Sequence, residues 1–332
     1  MKRRTFVAAS PLVWLATAPV VRAQPNPGFE AAARYCAAKN GVSMLVMREG
    51  QVLFEDCPNA GAPDRAWETA SGTKRFCGVL AAAAAADGLL AIDEACARTL
   101  VEWTDDRRAA ITVRELLTLT SGLAGGAIGR PPSCAQAVAA QPAFEPGQRF
   151  QYGPTPFQVF GEIIRRKLVA AGANPDPLAY LRQRVLDPAG IAVGPWRRGP
   201  DGMPMLPQGA ALSARDWARF GQFVLDGGRG LDAKTLAACF EGTAANPGYG
   251  LSWWLLRPGL VSPGPRAGLD GVLGQAMASE DVVMAAGAGD QHLYLLRRRG
   301  LVVVRQATGI VAALMGAGTG WQDAAFLQAL LG

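Results

Sequence analysis

Histidine is almost absent from this sequence, since His292 is the only one among 332 residues. A single imidazole excludes zinc sites that need several histidines, and it leaves one candidate base for a Ser-His-Asp triad. No apolar run reaches the roughly 20 residues that a membrane-spanning helix requires, so a polytopic membrane protein is excluded. No glycine-rich phosphate loop follows a strand, and the sequence therefore gives no support for nucleotide binding.

Positive charge is concentrated at the N-terminus. The formal charge is +6, but four of these charges are Lys2, Arg3, Arg4 and Arg22, in a stretch of 23 residues without any acid. The other residues carry +2, and no basic stripe interleaved with aromatic residues occurs among them. Nucleic-acid binding therefore loses its main support. The run Arg297–Arg299 is interpreted as a solvated hairpin turn.

The first 23 residues have the features of an export signal. The segment Arg3–Val7 fits a twin-arginine pattern, and the apolar stretch after it is interrupted by Pro11 and Pro19. Val21-Arg22-Ala23 places small residues at the −3 and −1 positions of a cleavage site before Gln24. An N-terminal membrane anchor is the alternative, but two prolines and a length under about 17 residues argue against it. We expect the mature protein to be periplasmic or secreted by a bacterium.

Cysteine usage leaves the redox state open. Six cysteines could form up to three disulfides in an oxidising compartment, and none has the CxxC spacing of a metal or redox motif. Cys36 and Cys57 bracket one predicted hairpin and form the favoured pair, with free buried thiols as an equal alternative. The six are Cys36, Cys57, Cys77, Cys96, Cys134 and Cys239.

Strand patterns lie at both ends of the chain, and helical patterns fill the middle. A helix is predicted over 29–39, a hairpin over 42–55, one long helix over 71–88 and an amphipathic helix over 213–226. Strands are predicted again at 250–255, 281–286, 291–296 and 301–306, before a last helix at 322–331. This order predicts an α/β protein of the α+β type, with one antiparallel sheet built from both termini, flanking terminal helices and an inserted helical domain.

Ser71 and Lys74 are the strongest candidates for chemistry. At the start of a helix, residues three apart lie on one face with their Cβ atoms roughly 5–6 Å apart, so the amine can reach the hydroxyl. A serine nucleophile needs a base, and burial can lower the pKa of a lysine until it accepts a proton. The alternative is an N-cap serine followed by a surface lysine, although a lysine in the first turn opposes the helix dipole.

Several segments share their order with a known group of proteins. Thr69–Lys74 resembles the nucleophile helix of the serine beta-lactamase-like superfamily, which includes class C beta-lactamases, D-alanyl-D-alanine carboxypeptidases, esterases and 6-aminohexanoate-dimer hydrolases. Val113–Leu123 resembles a second segment of that family, with Leu119 in place of the usual histidine. Further resembling segments are Phe144–Tyr152, Gly209–Gly221, Tyr249–Trp254, Gly287–Gln291 and Leu301–Arg305.

The resemblance implies a beta-lactamase/transpeptidase-like fold for residues 24–332 after a signal peptide at 1–23. It implies a sheet subdomain formed by about 29–70 and 245–332, with a helical subdomain over about 71–244. It also implies that no metal or organic cofactor is needed. The oligomeric state is not determined by the sequence.

The second motif of the family is Tyr-x-Asn, whose tyrosine is the base or proton relay beside the lysine. Tyr152 occupies the tyrosine position here, and a nearby lysine charge would lower the pKa of its phenol. A buried ring with a merely satisfied hydroxyl is the alternative. The asparagine position is Pro154, which offers no side-chain donor or acceptor.

The third motif, Lys-Thr-Gly or His-Thr-Gly, binds a substrate carboxylate in the family. It aligns with Ala285-Ala286-Gly287, which has no cationic or hydroxyl side chain. Gly287 still lets substrate approach the strand, and the resemblance implies an oxyanion hole made by the backbone N–H groups of Ser71 and Ala288.

These departures favour an exported serine hydrolase that cleaves an ester or amide of a small molecule. One alternative is an enzyme acting on peptidoglycan or beta-lactams, which nitrocefin turnover would separate from an esterase. A catalytically silent binding protein is another, for which Ser71→Ala should bind the same ligand undiminished. His292 is interpreted as one face of a strand, because a Ser-His pair would also need an orienting aspartate.

Overall fold

A computed structural model describes residues 26–256, 277–318 and 320–332. Its centre is an antiparallel sheet of six strands, which are β1 (Gly41–Arg48), β2 (Gln51–Asp56), β5 (Trp254–Leu255), β6 (Val282–Gly287), β7 (Gln291–Leu296) and β8 (Leu301–Ala307). Their order is β2-β1-β8-β7-β6-β5, so the first strand of the chain lies between the second and the last. Two short strands, β3 (Trp67–Glu68) and β4 (Ala211–Leu212), pair separately.

The hairpin between β1 and β2 is closed by Glu49 and Gly50, which both have positive φ. That pair of conformations matches the right-handed twist of the two strands. The central strands β1 and β8 are buried over almost their whole length. Runs such as Val302–Val304 suit that position because β-branched side chains pack well on a sheet that is covered on both faces.

Helices cover both faces of the sheet, as alternate residues of β7 demonstrate. Leu293 and Leu295 lie against Gly221 of α7 (Ala214–Leu225), whereas Tyr294 stacks on Phe326 of the last helix with ring centroids 5.6 Å apart. Successive side chains of a strand point to opposite faces, so these two helices lie on opposite sides. The helices are α1 (Pro27–Ala38), α2 (Arg75–Ala86), α3 (Val113–Leu117), α4 (Cys134–Ala139), α5 (Thr155–Ala170), α6 (Pro177–Leu181), α7 (Ala214–Leu225), α8 (Ala233–Ala238), α9 (Ile310–Leu314) and α10 (Asp323–Leu331).

The predicted antiparallel sheet, its flanking terminal helices and the helical middle are confirmed, with two local corrections. The expected single helix over 71–88 is a 3-10 helix, Ala70–Lys74, followed by α2. The tighter turn has the i→i+3 backbone bond from Gly72 N to Thr69 O at 2.8 Å, and the Thr73 hydroxyl also donates to Ala70 O at 2.7 Å. The expected strand over 250–255 is reduced to β5, because Ser252 has positive φ and Gly250 N donates back to Trp253 O in a tight turn.

The favoured pair Cys36–Cys57 is wrong, since all six cysteines are free thiols and only Cys57 is not fully buried. Ser43 lies between the two sulfurs, with Cys36 Sγ 3.8 Å from its carbonyl oxygen and Cys57 Sγ 4.0 Å from its hydroxyl. Burial raises the pKa of both thiols, which keeps them in the unreactive protonated form.

The predicted turn Arg297–Arg299 is an exposed 3-10 turn, whose outer arginines pair with Asp281 and Glu280. The predicted export signal lies outside the described residues. Within 26–256, 277–318 and 320–332, no helix combines the length and apolarity that crossing a membrane would take.

Candidate active site

The Ser71 and Lys74 side chains meet on one face of the 3-10 helix. Residues three apart in such a helix eclipse each other, and Lys74 Nζ lies 3.0 Å from Ser71 Oγ. Nζ also donates to Pro207 O at 3.0 Å, so the amine is held between the hydroxyl and a backbone carbonyl. Lys74 is only 1% exposed, and burial lowers the pKa of its ammonium group.

The turn that carries Ser71 is strained and firmly anchored. Ala70, the residue before the serine, has a φ of 45°, a region that non-glycine residues rarely adopt. Thr69 N donates to Ala210 O at 3.0 Å, and the hydroxyls of Thr69 and Thr73 are 3.0 Å apart. Backbone strain of this kind persists only where surrounding contacts over-determine it, and it is concentrated at functional sites.

Tyr152 lies beside the lysine. Gln151 N donates to Leu119 O at 2.9 Å, which fixes the segment before α5. The Tyr152 ring stacks on Trp254 with centroids 5.5 Å apart, and Lys74 Nζ lies 5.0 Å from the Tyr152 ring centroid. Burial raises the pKa of the phenol, but the positive charges of Lys74 and Arg75 outweigh it, so the net pKa is lowered. The structure thus brings the three sequence-predicted side chains together.

Gly287 brings the end of β6 against the turn before Ser71. A Cβ at this position would lie 2.2 Å from Thr69 O and 3.1 Å from Gly72 N, so only glycine permits the approach. Ala288 follows directly and is partly exposed. Ala285 and Ala286 are buried, so this strand end presents no charged side chain, as its sequence implies.

The asparagine position of the second motif has a structural use of its own. Pro154 stands immediately before α5, at the position where that helix begins. Its ring cannot donate or accept a hydrogen bond, so this position contributes no polar side chain.

His292 belongs to a different cluster. Its Nδ1 lies 2.7 Å from Tyr294 OH and 3.1 Å from Asp323 Oδ1, and Trp321 Nε1 donates to the same carboxylate at 3.1 Å. These partners lie towards α10, on the opposite face of the sheet from α7. An orienting aspartate is therefore present, but Ser71 is not among the partners of His292 in the described chain.

Sequence reasoning did not find the Pro207 carbonyl, the stacking partner Trp254 or the buried cation Arg75. Pro207 and Trp254 reach the site through long-range packing, which no local pattern encodes. Arg75 directly follows Lys74, and only its position at the buried start of α2 makes it part of the site.

A cleft of about 630 Å³ lies elsewhere, between α4 and α5. Its charged side chains neutralise one another: Glu162 accepts from Arg165 and Arg166, and Arg166 also pairs with Glu102. None of the residues that line it belongs to the group around Ser71.

The fold is that of a serine hydrolase architecture, and comparison with known families agrees with it. The model of the beta-lactamase family matches residues 29–325. The chain therefore belongs to the beta-lactamase family. No curated protein matches it.

Solved structures share the fold at low identity. EstCE1, a hydrolase with promiscuous acyltransferase activity, matches with a TM-score of 0.67 and 15% identity, covering 92% of this chain and 100% of its own. A penicillin-binding protein homologue from Caulobacter crescentus matches with a TM-score of 0.64 and 17% identity, covering 91% and 98%. A beta-lactamase from Mycobacterium bovis matches with a TM-score of 0.59 and 19% identity, covering 80% and 86%.

Proposed function

We propose that this protein hydrolyses an ester or amide through an acyl-enzyme on Ser71. The observation that carries the proposal is the buried Lys74 amine, 3.0 Å from the Ser71 hydroxyl and without a carboxylate within 4.0 Å in the described chain. A lysine in such surroundings becomes an acceptor, because burial disfavours its charged form. The partly exposed Ser71 is then an activated nucleophile that a substrate can reach.

The reaction follows from these positions. Ser71 Oγ bonds to the carbonyl carbon while its proton passes to the Lys74–Tyr152 pair. The N–H groups of Ser71 and Ala288 stabilise the oxyanion, and the pair then protonates the departing alcohol or amine. Water attacks the acyl carbon and gives a proton to the same pair. The bond between Ser71 Oγ and the acyl carbon then breaks, the pair returns the proton to Ser71 Oγ, and the carboxylic acid is released.

The lining of the site favours a substrate without a carboxylate beside the scissile bond. Ala285 and Ala286 on β6 and Pro154 before α5 offer no side chain that could pair with an anion. A peptidoglycan or beta-lactam substrate presents such a carboxylate, whereas a simple ester or amide does not. We therefore propose the esterase or amidase type and expect little nitrocefin turnover.

Labelling with a fluorophosphonate tests the nucleophile directly. We expect the intact mass of the wild type to rise by one adduct, located on Ser71 by peptide mapping, while Ser71→Ala stays unlabelled. Circular dichroism of both proteins is the control for folding. A folded wild type that takes no adduct would remove the hydrolase proposal and leave the binding-protein alternative.

Replacing Tyr152 with phenylalanine tests the proton relay. The ring stack on Trp254 is kept, and only the hydroxyl is lost. We expect kcat/KM for a p-nitrophenyl ester to fall by about 10- to 100-fold, since part of the general acid–base contribution is removed. Tyr180→Phe is the matched control, because that hydroxyl binds Asp87 away from the site. Equal activities of wild type and Tyr152→Phe would assign Tyr152 a packing role alone.

Export is part of the same proposal. The support is the twin-arginine pattern Arg3–Val7 and the small residues of Val21–Ala23. N-terminal sequencing of the protein recovered from the periplasm should begin at Gln24.

A further inference from the structure

Arg75 is a buried cation next to the nucleophile. It begins α2 and is fully buried, and its Nη1 donates to the carbonyl oxygen of Ser71 at 3.0 Å. Its Cζ lies 5.8 Å from the ring centroid of Tyr249. Within the described residues, Nε and Nη2 have no hydrogen-bond partner, and no carboxylate lies within 4.0 Å of the guanidinium.

A cation in this position carries an energetic cost. An arginine keeps its positive charge at any working pH, and removing a charge from water without a counter-ion is unfavourable. Replacing buried charges with apolar side chains commonly stabilises a protein. A buried charge without a counter-ion is therefore expected where function requires it, through the effect of the charge on neighbouring groups.

The groups that face this charge come from four parts of the chain. Lys74 lies on the 3-10 helix, Tyr152 on the segment before α5, Tyr249 before β5 and Cys77 on α2. Burial raises the pKa of both Tyr249 and Cys77 far above the working range, so both are neutral and neither offsets the cation. Burial lowers the pKa of Lys74, and the Arg75 guanidinium lowers it further. Burial raises the pKa of Tyr152, whereas the positive charges of Lys74 and Arg75 lower it.

We infer that Arg75 is a positioning residue: its buried guanidinium holds the Ser71 carbonyl and places a fixed positive charge behind Ser71, which favours transfer of the serine proton to the Lys74–Tyr152 pair. The inference rests on the proposed function, because it assumes that Ser71 is the nucleophile. The end of β6 contributes no cation, so the charge acts from behind the site. Because the side chain is buried, it acts without being offered to a substrate carboxylate.

The test measures the rate of Ser71 labelling by a fluorophosphonate, and kcat/KM for p-nitrophenyl butyrate, between pH 5 and pH 9. Arg75→Met removes the charge and the hydrogen bond, whereas Arg75→Gln removes the charge but can still donate to the Ser71 carbonyl. We expect the acidic limb of both profiles to move up by about one pH unit in both variants. At a given pH on that limb, both variants should react about tenfold more slowly than the wild type. At high pH their rates should approach the wild-type rate. Arg34→Met removes an exposed arginine of α1 and should leave the profile unchanged.

The outcomes separate the inference from the proposed function. A wild type that is not labelled on Ser71 removes the function, and the inference with it. A labelled wild type with an unmoved acidic limb in folded Arg75→Gln overturns the inference alone. A uniform loss at every pH overturns it as well, because that result indicates a structural role. Thermal unfolding of each variant establishes that the compared proteins are folded at the assay temperature.

Discussion

Replacing Lys74 with methionine is expected to lower kcat/KM for ester hydrolysis by about 10³-fold or more, in a protein that still folds. General acid–base groups contribute about 10²- to 10⁴-fold, and Lys74 is the amine within hydrogen-bond distance of Ser71 Oγ. Methionine fills a similar volume, and the buried ammonium that it replaces has no carboxylate partner in the described chain. The fall should therefore appear in kcat without loss of the folded state, as measured by steady-state kinetics and thermal unfolding.

The chain offers a matched control for this change. Lys234 is exposed on α8, away from the Ser71 group, and Lys234→Met should leave kcat/KM within about twofold of the wild type, because surface substitutions away from special features have small effects. A folded Lys74→Met protein with more than about a tenth of the wild-type rate would contradict the assignment of Lys74 as the base.

Adding a single methyl group at Gly287 is expected to reduce kcat by about 10²-fold or more. The new Cβ would lie 2.2 Å from the carbonyl oxygen of Thr69, which is backbone and cannot rotate away as a flexible side chain could. The end of β6 must therefore move away from the turn before Ser71, and the N–H of Ala288 moves with it. Loss of one oxyanion donor costs about 10²- to 10³-fold in kcat.

The measurement for Gly287→Ala is kcat and KM for the same ester, with the rate of Ser71 labelling as a second readout. Gly161→Ala is the control, because a Cβ there meets only the flexible end of Leu206, at 3.2 Å. That variant should keep nearly the wild-type kcat. Wild-type kinetics in Gly287→Ala would show that the oxyanion is held elsewhere and that the strand end has no catalytic part.

Local spacing is sufficient to find the side chains to which we propose to assign the reaction. Ser71 and Lys74 are three residues apart, and any helical turn brings such a pair together, so the contact did not depend on the 3-10 form that the turn adopts. The strands of the sheet are equally predictable, because the hairpin of β1 and β2 and the apolar strands β7 and β8 have local sequence patterns. The observed bounds of β7 are those expected from the sequence.

The parts that sequence reasoning missed depend on contacts between distant segments. The carbonyl of Pro207 binds Lys74 across 133 positions, and a backbone oxygen carries no residue-type signal. The turn at Ser252 exists because its N–H donates to Leu117 O and its hydroxyl accepts from Gly78 N, both on other elements. Arg75 follows the motif directly, yet its burial depends on how α2 packs.

The burial of the thiols would protect them from oxidation if the chain is exported folded, as the proposed twin-arginine route requires. Cys77, Cys96 and Cys239 are almost completely enclosed by the time the fold is complete. An oxidising compartment would then receive a protein in which the core already shields every thiol except that of Cys57. On that route the buried cysteines would need neither pairing nor an isomerase, because folding would precede their exposure to oxidant. Folding before export would then give these thiols the protection that disulfide bonds give to proteins exported unfolded.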